Sequence, residues 1–143
     1  MPIEPVPQLF QRLDDVPQRY KALTTELSDR LAVIERRLQS LPSKIEVEVE
    51  DFSHTHKPRL RFARGQDRWM LYYFQLSSDT KSDQLEWKPL LSCSVEEKMN
   101  ATRLLSGLLG QIVSQQTREL TKVEGSLQYL DDVERALGLK EGA

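Results

Sequence analysis

Residues 41–50 read LPSKIEVEVE, and the fold class turns on them. Up to Leu41 apolar residues recur every three or four positions; from Ile45 they alternate one by one with glutamate. The first period belongs to a helix with one buried stripe, the second to a strand with one buried and one wet face. Pro42 sits at the change, where a residue without an amide hydrogen cannot extend a helix. A helix followed by a half-buried strand is the start of an α+β chain.

Working back from Leu41, the stripe runs through Tyr20, Leu23, Leu27, Leu31, Ile34 and Leu38. It predicts a helix over residues 17–41, about seven turns long, narrow enough to resemble a coiled-coil seam. Asp14 and Asp15 can accept hydrogen bonds from the free amides of a helix start, and Pro17 is tolerated in a first turn. Residues 1–16, with Pro2, Pro5 and Pro7, read as a lead-in holding at most a short helical turn at Gln8–Leu13.

Working forward, strand signals continue across residues 44–91. Ile45–Glu50 is followed by a polar loop over 51–58 and by Arg59–Phe62, which alternates again. Arg64–Asp67 reads as a turn, and Arg68–Leu76, rich in Trp, Tyr and Phe, is the strongest strand signal in the chain. A polar turn at Ser77–Asp83 and a fourth strand at Leu85–Leu90 complete the set, with Pro89 arguing for an edge position. Short connections favour an antiparallel meander.

Ser94 and Glu97 have capping-box spacing and open a second helical region, 94–138, that stops near Gly138. Leu104, Leu105, Leu108, Leu109, Ile112 and Val113 form a broad apolar face suited to a sheet. Leu120, Val123, Leu127, Leu130 and Leu137 form a narrow seam, expected to pair with helix 17–41. Unbroken, this helix would be about 65 Å long, whereas a compact domain of this size has a radius of gyration of about 14 Å. It must therefore break, at Gly107, Gly110 or Gly125, or project as a stalk. A projecting stalk leaves leucines exposed. The expected remedy is a homodimer whose stalks form a four-helix bundle, with Leu23, Leu27, Leu31, Ile34, Leu120, Val123, Leu127 and Leu130 at the interface.

Composition narrows the function classes. The 20 Lys and Arg nearly balance the 22 Asp and Glu, so no global field draws the chain to nucleic acid or an anionic membrane. No apolar stretch approaches the roughly 18 residues of a membrane span. The lone Cys93 excludes an intramolecular disulfide and a cysteine-based zinc cluster. Together with an N-terminus lacking a signal-peptide pattern, it leads us to expect a cytoplasmic protein. No glycine-rich phosphate loop is present.

Four local features carry candidate chemistry. Alternation along the third strand divides it into Met70, Tyr72, Phe74 and Leu76, expected under the helices, and Trp69, Leu71 and Tyr73, an apolar strip that either receives a protein partner or is covered within the chain by residues 94–113 or the N-terminal segment. Arg59, Arg61, Arg64 and Arg68 lie beside aromatics, as in some single-strand-binding sheets. If Glu50 faces Arg59 and Glu48 faces Arg61, however, cross-strand pairs consume that charge. His54 and His56, with Asp51, could ligate a metal, but no second cluster supports them. Cys93 precedes a helix start, which lowers a thiol pKa, although free cysteines are more often small buried apolar groups. No convergent polar set can be assigned catalytic roles, and no metal site or cofactor is expected. The sequence thus favours a non-enzymatic interaction protein that self-associates through its helices. A nucleic-acid-binding module on 57–68 is the alternative, and a small metal-dependent enzyme comes last.

Overall fold

The computed structural model describes residues 5–76 and 86–139. Two helices flank a four-stranded sheet in the order α1 (Val6–Gln39), β1 (Val47–Glu50), β2 (Arg59–Arg64), β3 (Trp69–Phe74), β4 (Lys88–Pro89) and α2 (Val95–Ala136), with a short 3-10 turn at Leu90–Ser92 before α2. The strands lie in chain order, each antiparallel to its neighbour. The α+β class and the meander follow the sequence. Pro89 occupies an edge strand, where a missing amide breaks no ladder. The expected turn at Ser77–Asp83, Leu85 of the fourth strand and Pro2 of the lead-in lie outside the described residues.

The helix boundaries differ from expectation at one end. α1 begins at Val6, not Pro17, and passes through Pro17 without ending. A proline inside a helix costs about 3 kcal/mol against alanine, which is why Asp14, Asp15 and Pro17 carry the local signature of a helix start. The apolar spacing that favours continuation is already present upstream: Val6, Leu9, Leu13 and Val16 carry the three-and-four pattern of Tyr20 and Leu23 backwards. Pro7 then takes the first-turn place expected of Pro17. α2 is unbroken across Gly107, Gly110 and Gly125. Its start is closed by the capping box: the Ser94 hydroxyl accepts from the Glu97 amide at 3.2 Å, and the Glu97 carboxylate accepts from the Ser94 amide at 3.0 Å. At its end Gly138 takes a positive φ of 72°, and the Leu139 and Gly138 amides return to the carbonyls of Glu134 and Arg135.

Register decides which face of the sheet is buried. Glu48 lies opposite Arg61 and Glu50 opposite Arg59, as charge pairing requires. Phe62 lies opposite Leu71, and Leu60 opposite Tyr73. Directly opposed residues share a face, so Leu60, Phe62, Leu71 and Tyr73 form one apolar sheet surface, each with 0% exposure. Leu31 and Leu38 of α1 and Ala101, Leu105, Leu108 and Ile112 of α2 cover it. The expectation for β3 is therefore reversed: Leu71 and Tyr73 are core, and Trp69 packs partly buried against it. Met70 and Tyr72 lie on the opposite face with Phe74.

The two helices touch and run parallel. Lys98 Nζ donates to Ser28 Oγ at 2.9 Å, Thr102 and Leu105 line a groove with Leu27 and Leu31, and Gln116 Nε2 donates to the Ser43 carbonyl at 3.1 Å. Residue numbers rise together along both helices, so each overhangs the other at a different end. α1 extends past the start of α2 from Leu23 back to Val6. α2 extends past Ser43 from Thr117 to Ala136. Each overhang is about 30 Å at 1.5 Å per residue.

α1 also finishes the sheet. Among the described residues β4 pairs only with Tyr72 and Tyr73, so the side of β3 away from β2 has no strand beside Trp69 and Leu71. There the buried Glu35 carboxylate accepts from the Leu71 amide at 2.9 Å, and Gln39 Nε2 donates to the Trp69 carbonyl at 2.7 Å. Among the described residues, these two helix side chains take the place of a strand at that edge.

Candidate functional site

The two overhangs carry the exposed apolar residues that a functional reading must explain. On α1, Val6, Leu9, Leu13, Val16, Tyr20 and Leu23 are 41–66% exposed. Their steps alternate three and four, which is a strict seven-residue repeat with apolar a and d positions. On α2, Leu120, Val123, Leu127, Leu130 and Leu137 are 50–68% exposed and follow the same repeat, with Glu134 in the remaining core position. Arg12 and Arg19 flank the α1 seam; Glu119, Glu124 and Asp131 flank that of α2. Near Pro17, Leu9, Arg12, Leu13 and Val16 line an open apolar groove on α1.

Within the sheet-packed half the repeat changes. After Leu27 the next buried position is Leu31 and not residue 30, and from there the stripe follows a globular helix face. Leu27, Leu31 and Ile34, expected at an oligomer interface, pack within this chain: Leu31 is buried and the other two lean on the core. Leu23, Leu120, Val123, Leu127 and Leu130 remain exposed. The α2 seam does not lie on α1, because α1 has already ended at Gln39 where that seam begins. Within one chain the two seams leave the sheet in opposite directions and do not lie side by side.

The strip Trp69, Leu71 and Tyr73 is no partner surface, since the chain's own helices cover it. The outer face instead presents three columns. Glu46 and Glu50 hold Arg61 and Arg59, the latter with Arg59 Nε 3.2 Å from Glu50 and out of line for a hydrogen bond. Arg59 lies over the Phe74 ring at 5.7 Å and Arg61 over the Trp87 ring at 5.6 Å; the two rings are 5.5 Å apart. Both guanidinium groups are thus engaged by a carboxylate and an aromatic face. Arg64, by alternation, sits on the other side of β2, and Arg68 lies in the β2–β3 turn. The four arginines do not share one surface.

His54 and His56 stand with ring centres 5.6 Å apart, but their nitrogens serve the loop. His54 Nδ1 accepts from the His56 amide at 3.1 Å, and His56 Nδ1 lies 3.0 Å from the Leu76 carbonyl. Asp51 accepts from the amide and hydroxyl of Ser53, which holds its carboxyl below the usual range. Among the described residues no three His, Cys, Asp or Glu side chains converge on a metal position.

Cys93 is buried, and its thiol donates to the Pro89 carbonyl at 3.4 Å. Burial pushes its pKa up to about 11, with Glu97 adding to the effect. Burial outweighs the nearby helix start, and the thiol packs as a small apolar group in the core.

The repeat at Val6–Val16 is present in the sequence as spacing, but Pro5, Pro7 and Pro17 around it argue locally against a helix. Glu35 and Gln39 as an edge cover left no sequence signal, since their role depends on where β4 stops. Comparison of the chain with protein-family models, with curated proteins and with solved structures found no significant match.

Proposed function

We propose that this chain is a non-enzymatic interaction protein that self-associates through its helices. The observation that carries the reading is the pair of exposed heptad seams, on α1 from Val6 to Leu23 and on α2 from Leu120 to Leu137. A strict seven-residue repeat is the pattern of a helix that packs along another helix. Apolar side chains that are 41% exposed or more, along about 30 Å of helix, form a continuous strip of the kind that marks an association surface.

The nucleic-acid alternative has less support. Arg59 and Arg61 are neutralised by Glu50 and Glu46, and Arg64 and Arg68 stand apart from them. The metal-dependent reading has less still, with His54, His56 and Asp51 already committed to loop hydrogen bonds.

Absolute mass by light scattering, over a tenfold concentration range, tests the proposal. The expected mass exceeds the 16.6 kDa of one chain and rises with concentration. A mass of one chain throughout the range, up to high micromolar concentration, would sink it.

A further inference from the structure

The two seams are each what the other lacks. Inside the molecule α1 and α2 form a parallel pair, and each seam continues its helix past the point where the intramolecular partner stops. α1 before Leu23 has no α2 beside it, and α2 after Gln116 has no α1. We propose that a second copy of this chain fills each gap, with the α2 overhang of one copy lying parallel along the α1 overhang of the next. The inference rests on self-association and specifies its geometry.

Three observations bear on this pairing. The first is spacing, which admits it as it admits like-with-like pairing. With Val6 level with Leu120, the layers that follow are Leu9–Val123, Leu13–Leu127, Val16–Leu130, Tyr20–Glu134 and Leu23–Leu137, a against a and d against d throughout. The only mixed layer sets a tyrosine hydroxyl beside a carboxylate.

The second is room. In this register the incoming α2 sets Leu137 beside Leu23, short of the level at which Lys98 of the chain's own α2 reaches Ser28. At the other end Val6 meets Leu120 just beyond Gln116, which is held to Ser43.

The third is charge. In a parallel pair the g flank of one helix faces the e flank of the other. The g flank of α1 carries Arg12 and Arg19, and the e flank of α2 carries Glu124 and Asp131. Arg12 then meets Asp131. Two α2 overhangs side by side in parallel would instead set Glu119 against Glu124. Two antiparallel α1 overhangs would set Arg12 and Arg19 on one shared flank. An antiparallel α1–α2 pair matches g with g, which sets Arg12 and Arg19 on the flank of Glu119 but leaves both Glu124 and Asp131 beside Phe10, Pro17 and Thr24.

A head-to-tail contact uses different surfaces on the two copies and does not stop at two. The wild-type mass is therefore expected to pass twice 16.6 kDa as concentration rises. Leu13→Glu disables one overhang and Leu127→Glu the other; both positions are exposed, so the sheet-packed half is untouched. Each variant alone is expected to run at the mass of one chain. An equimolar mixture retains one sound α1 overhang and one sound α2 overhang, and is expected to stop at twice 16.6 kDa.

The outcomes separate the two proposals. A wild-type chain of single mass defeats self-association and this geometry with it. A wild-type chain that associates but levels off at two copies overturns the head-to-tail pairing alone. So does either variant that associates as wild type by itself, or a mixture of the two that stays at single mass.

Discussion

The same two helices behave differently in their two halves. Between Leu27 and Leu38, and between Lys98 and Ile112, they meet a sheet, and the buried positions broaden into a face. Beyond those limits the face narrows to a seven-residue repeat whose side chains stand in solvent. A flat sheet accepts a wide helix face, whereas a second helix accepts only a seam, so the width of an apolar stripe reports what it is built to touch. The change from one to the other on α1 is the four-residue step from Leu27 to Leu31.

The contrast is broken most severely at the sheet. Phe62→Ala is expected to lower stability by about 3–5 kcal/mol, because Phe62 has 0% exposure beneath both helices. The same truncation at Leu127, 57% exposed, is expected to change the stability of the single chain by less than about 0.5 kcal/mol. Urea denaturation of both variants, at a concentration too low for association, checks the pair. Comparable losses would mean that the overhang belongs to the folding unit.

A second test lies at the boundary, where α1 meets the open edge of β3. Glu35→Ala leaves the Leu71 amide without its acceptor and is expected to cost about 1–3 kcal/mol. Glu35→Gln keeps a carbonyl acceptor and should recover most of that loss. Equal losses for the two variants would assign Glu35 a different role.

The smallest expected effect is alkaline. The Cys93 thiol is raised from an ordinary 9.0 to about 11 by burial, so unfolding releases its proton more readily than the folded chain does. Its contribution is constant below about pH 9 and is lost as pH rises through 11. Burial also raises the Tyr73 hydroxyl, in the same direction. Denaturation midpoints between about pH 8 and 11 should fall less steeply for Cys93→Ala than for wild type. Parallel curves would rule out the thiol as a contributor.

Much of the sheet-packed half was legible in the sequence. The period change at Pro42, the Glu–Arg register of β1 and β2, the capping box at Ser94 and the edge role of Pro89 all rest on local chemistry, and local chemistry is what a sequence displays. The inversion of β3 shows where legibility ends. Alternation divides Trp69–Phe74 into two sets but does not say which is buried. The hairpin does: four turn residues between Arg64 and Trp69 put Phe62 opposite Leu71 and give the inner face to Leu71 and Tyr73. Gly65 marks that turn, for a side chain there would collide with the Tyr72 hydroxyl. The seam on α2 was visible as spacing, but its direction was not. Parallel helices follow from how α1, the sheet and α2 stack, and no single stretch of sequence records that.

The cover that α1 places on β3 has a consequence for the life of the chain outside its native state. WMLYYF is a six-residue run with high strand propensity and no charge, of the kind that seeds cross-β growth when its edge is bared. Glu35 and Gln39 occupy the backbone groups of Trp69 and Leu71 that an invading strand would need. Lifting the last turns of α1 would bare these backbone groups without unfolding the rest of the chain.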